Sequence, residues 1–175
     1  MHSKLNKYKF EGDALITDKK NLPIAVLTAD CAPILIYDEG REMIAAIHAG
    51  WKGAYKDIIK KIVRFMIKKG CSPKDITAAI GPCISANSYQ VQQDFIKKFI
   101  KKDKKNEIFF KTTKDKNYFN LNKYIYFQLK SLNKKKIDVI NKDTFNTKNN
   151  FFSARRSISR NENDYGRNIS IIMIN

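Results

Sequence analysis

The chain has 175 residues, 43% of them apolar, which is enough for one folded domain with its own core. Three cysteines are too few, and odd in number, for a disulfide scaffold, and no apolar run resembles a signal peptide or a membrane helix. The composition therefore argues against a secreted disulfide-rich protein or a membrane protein. We predict one domain, residues 1–175, in the cytoplasm with reduced thiols.

The formal net charge is +17, from 34 Lys and Arg against 17 Asp and Glu. Such an excess favours polyanionic partners, because bound cations release counterions from nucleic acid. The lysines, however, lie in stretches with helical spacing, and no nucleic-acid recognition motif accompanies them. We therefore predict that nucleic acid is not the main partner, and that the charge reflects a bias of the whole composition.

The first half of the chain predicts four strands and one helix. The strands are residues 13–17, 24–28, 34–37 and 43–47, and the last has the continuous apolar pattern of a strand buried on both faces. Pro33 predicts a bend at Cys31 before the third strand. Apolar residues recur at helical spacing over 55–69, and Gly70 follows as a left-handed C-terminal residue.

The second half predicts a mixture of helices and strands. Strand 76–80 is followed by an exposed loop that carries Cys83, and Asn120 is placed to cap a helix. The further predicted elements are helices 92–102 and 121–132, a weak strand 108–110, and strands 137–140 and 168–174. Because strands and helices do not alternate regularly, we predict an α+β fold with mixed β-sheets forming a central core flanked by helices.

Cys31 and His48 each lie at the end of a predicted strand, where functional sites often gather. A thiolate and an imidazole suit Zn²⁺, and a catalytic zinc keeps three protein ligands plus an open position. The third ligand stays open between His2, Cys71, Cys83 and the carboxylates. Two other interpretations also stay open: an inert buried cysteine with a hydrogen-bonded histidine, or a Cys31 or Cys83 thiolate with His48 as its base.

Three further positions carry weaker signals. Arg155 and Arg156 are able to bind a phosphate or carboxylate through guanidinium geometry, or to form surface ion pairs. Trp51 either stacks on a base or fills the core.

Seven motifs resemble, in chain order, the multicopper polyphenol oxidase or laccase-domain family, also called the purine nucleoside phosphorylase type, which includes peptidoglycan editing factors. The motifs are GDALIT (12–17), LTADCAPILIYD (27–38), AAIHAGWKG (45–53), AIGPCI (79–84), SYQV (88–91), FFSARR (151–156) and GRNISIIMI (166–174). The resemblance implies a single α+β domain that handles purine nucleosides and phosphate. The implied activities are phosphorolysis of adenosine, inosine, guanosine or methylthioadenosine, and deamination of adenosine.

The resemblance also implies a zinc site built from His2, Cys31 and His48, copper being the older attribution for the family. On this basis we predict catalytic roles for Cys31, His48, Asp30, Arg155 and Arg156. Substrate contacts are predicted for Trp51, Lys52 and Cys83.

Several positions depart from the family pattern. Family members carry additional strands before the first histidine, so the resemblance predicts an N-terminally shortened chain. Gln90 stands where glutamate is usual, Asn120 where aspartate is common and Ala154 where an aromatic is common. The Gln90 change removes a possible acid or base.

Two alternative functions accompany the leading one. The first is a peptidoglycan editing hydrolase that removes a wrongly incorporated amino acid from a muropeptide precursor. The second is a non-enzymatic remnant that binds polyanions through its charge.

Overall fold

The computed structural model describes residues 11–132 and 136–175. Its strands are β1 (Ala14–Thr17), β2 (Ile24–Thr28), β3 (Ala32–Asp38), β4 (Met43–Ala49), β5 (Ile76–Ile80), β6 (Gln90–Val91), β7 (Phe110–Thr113), β8 (Lys116–Phe119), β9 (Lys136–Val139) and β10 (Asn168–Ile172). Its α-helices are α1 (Trp51–Tyr55), α2 (Ile58–Lys68), α3 (Gln93–Lys102), α4 (Leu121–Leu132) and α5 (Ala154–Ser159). Short 3₁₀ helices span Lys104–Phe109 and Thr147–Asn149.

The centre of the fold is a five-stranded sheet in the order β1-β4-β3-β5-β9. All its pairs are antiparallel except β5 with β9. Strand β4 is buried on both faces, as its apolar run predicts. Its alternate residues serve different layers, because Ala45 and Ile47 pack toward the helices while Ile44 and Ala46 pack toward a second sheet. The predicted α+β class with mixed sheets is confirmed.

The two faces of the central sheet are covered differently. On one side the apolar face of α2 supplies Ile59, Val63 and Met66 to the main core. On the other side β2 and β10 form a two-stranded antiparallel sheet, joined to β4 through Ile24 and Val26. The loops at one end of these layers carry the candidate site.

The single helix predicted over 55–69 is wrong at its start. The structure breaks it into α1 and α2, and Asp57 between them has φ +61°, a left-handed conformation that ends one helix before the next begins. At the other end the prediction is confirmed, since Gly70 follows α2 with φ +98°.

The prediction also missed a three-stranded sheet, β6-β8-β7, beside α3. Its hairpin turns at Lys114 and Asp115, which both have positive φ and lack the Asn-Gly signal of such turns. Residues 108–109 lie in a 3₁₀ helix rather than in the predicted strand. Phe95, Phe99 and Phe119 form the aromatic core between this sheet and the helices.

Strand β3 begins earlier than predicted, and it contains Pro33. The proline lies at the start of the strand, where its missing N–H disrupts little of the ladder. The bend at Cys31 is confirmed just before it, and Asn120 caps α4 by accepting a bond from the Lys123 N–H at 2.9 Å. Over residues 11–132 and 136–175, the structure contains no helix long and apolar enough to cross a bilayer.

Candidate functional site

Strand pairing brings Cys31 and His48 to the same end of the central sheet. Pro33 pairs with His48 and Ala32 with Ala49, so Cys31 lies where β4 ends. A Cβ added to Gly50 would stand 2.9 Å from the Cys31 sulfur. Glycine at position 50 therefore allows the thiol to lie against the backbone that follows His48.

His48 is oriented by a carboxylate that the sequence did not single out. Its Nδ1 lies 3.1 Å from Oδ1 of Asp13, and its backbone N–H donates to the Asp13 carbonyl at 2.8 Å. With Nδ1–H donating to Asp13, Nε2 keeps a free lone pair, the arrangement common for metal-binding histidines. The side chain of His48 is 35% exposed. The only sequence signal for Asp13 was its place in the GDALIT motif.

The Cys31 thiol is neutral at physiological pH in the absence of a metal. Burial, with smaller effects from the Asp30 and Asp13 carboxylates, raises its pKa to about 11. A neutral thiol is a poor nucleophile, because the thiolate is the reactive form. The environment thus weakens the thiolate interpretation of Cys31, whereas a bound cation would displace the thiol proton directly.

The two donor atoms fit a metal, and a third is needed. No group of three His, Cys, Asp or Glu within the described parts of the chain is arranged to hold a metal ion. His2, the predicted third ligand, lies outside the described residues. Cys71 is buried, with its thiol directed to the Met43 sulfur at 3.7 Å.

Asp30, predicted as catalytic, has φ +80° and is 8% exposed. Its carboxylate accepts three bonds: from the Thr144 hydroxyl at 2.7 Å, the Ser153 hydroxyl at 3.0 Å and the Arg155 backbone N–H at 2.7 Å. Its carbonyl accepts a further bond from the Ile84 N–H. The side chain is thus engaged in joining distant segments, and it positions Cys31 and Arg155 beside it.

The two adjacent arginines face different surroundings. The Arg156 guanidinium donates to the carbonyls of Thr144, Phe145 and Phe151 at 2.7, 3.0 and 2.5 Å. Among the described residues, the Arg155 guanidinium makes one hydrogen bond, to the Gln90 carbonyl at 3.2 Å. The other N–H donors of Arg155 have no partner among the described residues and are available to a ligand. The donors of Arg156 bond to main-chain carbonyls and stabilise the fold.

Two cavities share Arg155 and Tyr89 as lining residues. The smaller, about 150 Å³, is lined by Cys31 and Asp30. The larger, about 480 Å³, is lined by Trp51, Gln90 and Asp94. The Arg155 guanidinium lies 5.5 Å from the Tyr89 ring centroid, and burial raises the pKa of that tyrosine well above its usual range. The only signal for Tyr89 in the sequence is its place in SYQV.

Trp51 packs in the core and also reaches a cavity, and its stacking on a base stays a prediction. Its ring meets Phe95 edge to face at 4.9 Å, so one part belongs to the core, and another part lines the larger cavity. Lys52, predicted to contact substrate, lies with its ammonium group 5.7 Å from the Trp51 ring centroid.

The predicted exposure of Cys83 is wrong. Cys83 is 2% exposed and belongs to the core, where burial raises the pKa of its thiol to about 12. The main chain at Cys83 forms a β-bridge with Asp143, which draws the loop inward. Its predicted substrate contact remains a prediction.

Together these features define a class: an α+β domain with a cysteine–histidine pair at the end of its central sheet, beside a cavity lined by arginine and tryptophan. Residues 2–175 match the family described as multi-copper polyphenol oxidoreductase laccase, and the chain belongs to this family. The predicted resemblance is confirmed.

The chain is similar to proteins named purine nucleoside phosphorylase. One from Rickettsia conorii is 40% identical over 161 residues, 91% of this chain and 66% of the relative. One from Haemophilus influenzae is 34% identical over 165 residues, 93% of this chain and 64% of the relative. The chain thus spans slightly less than two thirds of the length of these relatives.

Solved structures share the fold. A Bacillus licheniformis hypothetical protein, YfiH, superposes with a TM-score of 0.83 at 31% identity, covering 93% of this chain and 61% of the other. YlmD from Geobacillus stearothermophilus superposes with a TM-score of 0.79 at 26% identity, covering 93% and 60%.

Proposed function

We propose that the protein is a zinc-dependent enzyme acting on purine nucleosides. Its reactions would be phosphorolysis of adenosine, inosine, guanosine or methylthioadenosine, and deamination of adenosine. The names of the similar proteins support the substrate class. The observation that carries the proposal is the Cys31–His48 pair beside cavities that share Arg155 as a wall.

The metal would be held by Cys31 and His48, with His2 as the proposed third ligand. A thiolate and an imidazole favour zinc, or copper in its cuprous state, over magnesium or calcium. When bound, zinc would supply a Lewis acid next to the smaller cavity. The Asp13 carboxylate would fix the His48 ring in the tautomer that presents Nε2.

The larger cavity would hold the nucleoside and the phosphate. Trp51 offers an aromatic edge for the purine base, and the Arg155 guanidinium has donors free for two phosphate oxygens. In phosphorolysis, a phosphate oxygen forms a bond to C1′ of the ribose as the C1′–N9 bond breaks. The electron pair stays on N9, which takes a proton, and the products are a free base and ribose 1-phosphate.

In deamination, water adds its oxygen to C6 of adenine. The C6–N6 bond then breaks and the amino group leaves as ammonia, so that adenosine becomes inosine. Both reactions need only water or phosphate as the second substrate, and neither needs an oxidant.

The proposal is tested on the purified full chain in two steps. Elemental analysis should find about one zinc per chain. Chromatography should find adenine or hypoxanthine and ribose 1-phosphate from adenosine or inosine when phosphate is present, and inosine from adenosine without it. A folded protein that carries no metal, or that releases no product from any of these nucleosides, would contradict the proposal.

A further inference from the structure

The Arg155 guanidinium, which is proposed to bind phosphate, ends a long side chain on an exposed residue. Its backbone N–H is fixed, because it donates to the Asp30 carboxylate at 2.7 Å. A long side chain on a fixed backbone still samples many rotamers, and holding it in one of them costs conformational entropy. The guanidinium therefore needs contacts of its own if it is to present donors to a ligand at a fixed place.

Two consecutive residues of the SYQV segment supply such contacts. The guanidinium donates to the Gln90 carbonyl at 3.2 Å, and its central carbon lies over the Tyr89 ring, 5.5 Å from the centroid. A guanidinium over an aromatic face is attracted by the ring quadrupole. Burial raises the pKa of Tyr89 well above its usual range, so the phenol stays neutral and Arg155 contacts a ring rather than a phenolate.

The Tyr89 ring is itself held on a rigid support. Its backbone N–H donates to the Ser85 carbonyl at 2.9 Å, and its carbonyl accepts from the Phe119 N–H at 3.0 Å. The ring meets Phe119 edge to face at 5.8 Å and lies 6.4 Å from the Phe95 ring. Because both the main chain and the ring are fixed, Tyr89 can restrict a mobile cation without moving with it.

Tyr89 and Arg155 stand together at the boundary of the two cavities, since both residues line both of them. Arg156, in contrast, is held by three main-chain carbonyls and lines neither of these cavities. The arginine with an aromatic support is thus the one that faces the space for a ligand.

We propose that Tyr89 is a positioning residue for phosphate binding, whose ring face holds the Arg155 guanidinium where two of its N–H donors reach phosphate oxygens. The inference rests on the proposed function, because it names a further residue of the phosphate site of that enzyme. It assigns no bond making or breaking to Tyr89. The ring is required for this role and the hydroxyl is dispensable.

Variants separate the ring from the hydroxyl and from the core. Tyr89→Phe keeps the ring and Tyr89→Leu removes it. Phe110→Leu is the matched control, because Phe110 is a partly buried ring that contacts Phe95 and Phe119 but lines neither cavity. Urea denaturation measures the stability of each variant. If Tyr89→Leu does not fold, Tyr89→Met takes its place, since methionine fills irregular apolar space.

Binding is measured first, by calorimetric titration of each protein with inorganic phosphate. Tyr89→Leu should raise the Kd for phosphate about fivefold, the size of one cation–ring contact near a surface. Tyr89→Phe and Phe110→Leu should leave the Kd unchanged. In an Arg155→Met background, Tyr89→Leu should have no further effect, because the two residues act through one contact.

Several outcomes would overturn the inference. An equal rise in Kd for Tyr89→Phe and Tyr89→Leu would assign the effect to the hydroxyl, and an equal rise for Phe110→Leu would assign it to looser packing. An undiminished effect of Tyr89→Leu in the Arg155→Met background would show that Tyr89 does not act through Arg155. A wild-type protein that binds no phosphate would overturn it as well.

Kinetics distinguish this inference from the function on which it rests. With adenosine as substrate, Tyr89→Leu should raise the KM for phosphate and leave kcat for phosphorolysis unchanged, and Tyr89→Phe should have the wild-type KM. Phosphorolysis with an unchanged KM in Tyr89→Leu overturns the inference and leaves the proposed function standing. Phosphate binding that depends on the ring, without turnover of any nucleoside, contradicts the proposed function and supports Tyr89 as part of an anion site.

Discussion

Two pairs of neighbouring residues have opposite environments at the same site. Asp30 and Arg156 use their side chains within the protein: Asp30 accepts three bonds and Arg156 donates three. Their neighbours Cys31 and Arg155 line cavities. Asp30 lines the smaller cavity as well, but hydrogen bonds within the protein hold its carboxylate. The first set joins distant segments and the second lies at the cavities, although each residue stands directly beside its counterpart in the sequence.

Polar residues in a functional motif therefore need not act on substrate. A buried carboxylate with every neighbouring donor bonded to it stabilises the fold, because losing it would strand those donors. A side chain with unused donors at a cavity is available to a ligand. Substitutions of Asp30 and Arg156 should therefore lower stability, whereas those of Cys31 and Arg155 should weaken binding.

Metal binding should respond most strongly to substitution at this site. Cys31→Ala removes a proposed ligand and should abolish the stoichiometric zinc of the purified protein, while the circular dichroism spectrum stays native. Cys71→Ala is the matched control, because Cys71 is a buried thiol that contacts Met43 instead. Elemental analysis measures the zinc content of both variants. Full zinc content in Cys31→Ala would contradict the proposed site.

Substitution of Asp13, which contacts the proposed ligand His48, should have a smaller effect on metal binding. Asp13→Asn weakens the hydrogen bond that orients the His48 ring, and loss of such a partner typically lowers metal affinity about 10- to 100-fold. Competition with a chelator measures the affinity. Asp18→Asn, at an exposed position nearby in sequence, should leave the affinity unchanged.

Asp30→Ala should lower the stability of the fold rather than weaken the binding of a ligand. It leaves the donors of Thr144, Ser153 and Arg155 without their acceptor, at a cost of about 3 kcal/mol in the free energy of unfolding. Urea denaturation measures this cost, and Asp18→Ala should change it by less than about 0.5 kcal/mol. An Asp30→Ala protein of full stability but lost turnover would show that Asp30 acts on substrate.

Substitutions of the two arginines should differ in their effects on the free energy of unfolding and on the KM for phosphate. Arg156→Met removes donors to three carbonyls and should lower the free energy of unfolding by about 2 kcal/mol. Arg155→Met should cost less than about 1 kcal/mol, but it should raise the KM for phosphate because the guanidinium facing the cavity is gone. Reversed results would exchange the roles assigned to the two residues.

A weaker dependence of stability on pH should come from Asp143. Burial opposes ionisation of Asp143, but the Ser88 and Ser85 hydroxyls and the backbone N–H groups of Ser85 and Phe145 outweigh it, so its pKa lies below the ordinary 3.8. A depressed folded-state pKa gives stability that is present above 3.8 and lost as pH falls through the folded-state value.

The stability difference between wild type and Asp143→Asn should therefore be larger at pH 7 than at pH 3. Urea unfolding at both values measures it, and Asp138→Asn is the exposed control. A difference that does not change with pH would contradict this account.

Local patterns predicted most of the central sheet and the main helices, because strand β4 has a continuous apolar run and helix α2 has an apolar periodicity, as their burial requires. The hairpin β7–β8 escaped prediction, since its turn uses Lys114 and Asp115 at positive φ in place of glycine or asparagine. The exposure of Cys83 was wrong for a similar reason: the β-bridge to Asp143 joins residues 60 positions apart, which no local pattern encodes.

In the candidate site, too, local motifs predicted some residues, while contacts between distant segments determined the others. The motifs selected Cys31 and His48 directly, and the strand register then brought them together. Asp13, Tyr89 and the different roles of Arg155 and Arg156 depend on contacts between distant segments, so the sequence alone did not separate them.

The bonds at Asp30 also set an order of assembly. Its partners lie 114 to 125 residues further along the chain, so this junction closes only after the C-terminal segment has been synthesised. Contacts of such long sequence separation form slowly, because the intervening loop must first be brought together. During synthesis on the ribosome, the wall that contains Arg155 would therefore form after strands β1 to β9 have been synthesised. The nascent chain would gain a ligand-competent cavity only once this segment has joined Asp30.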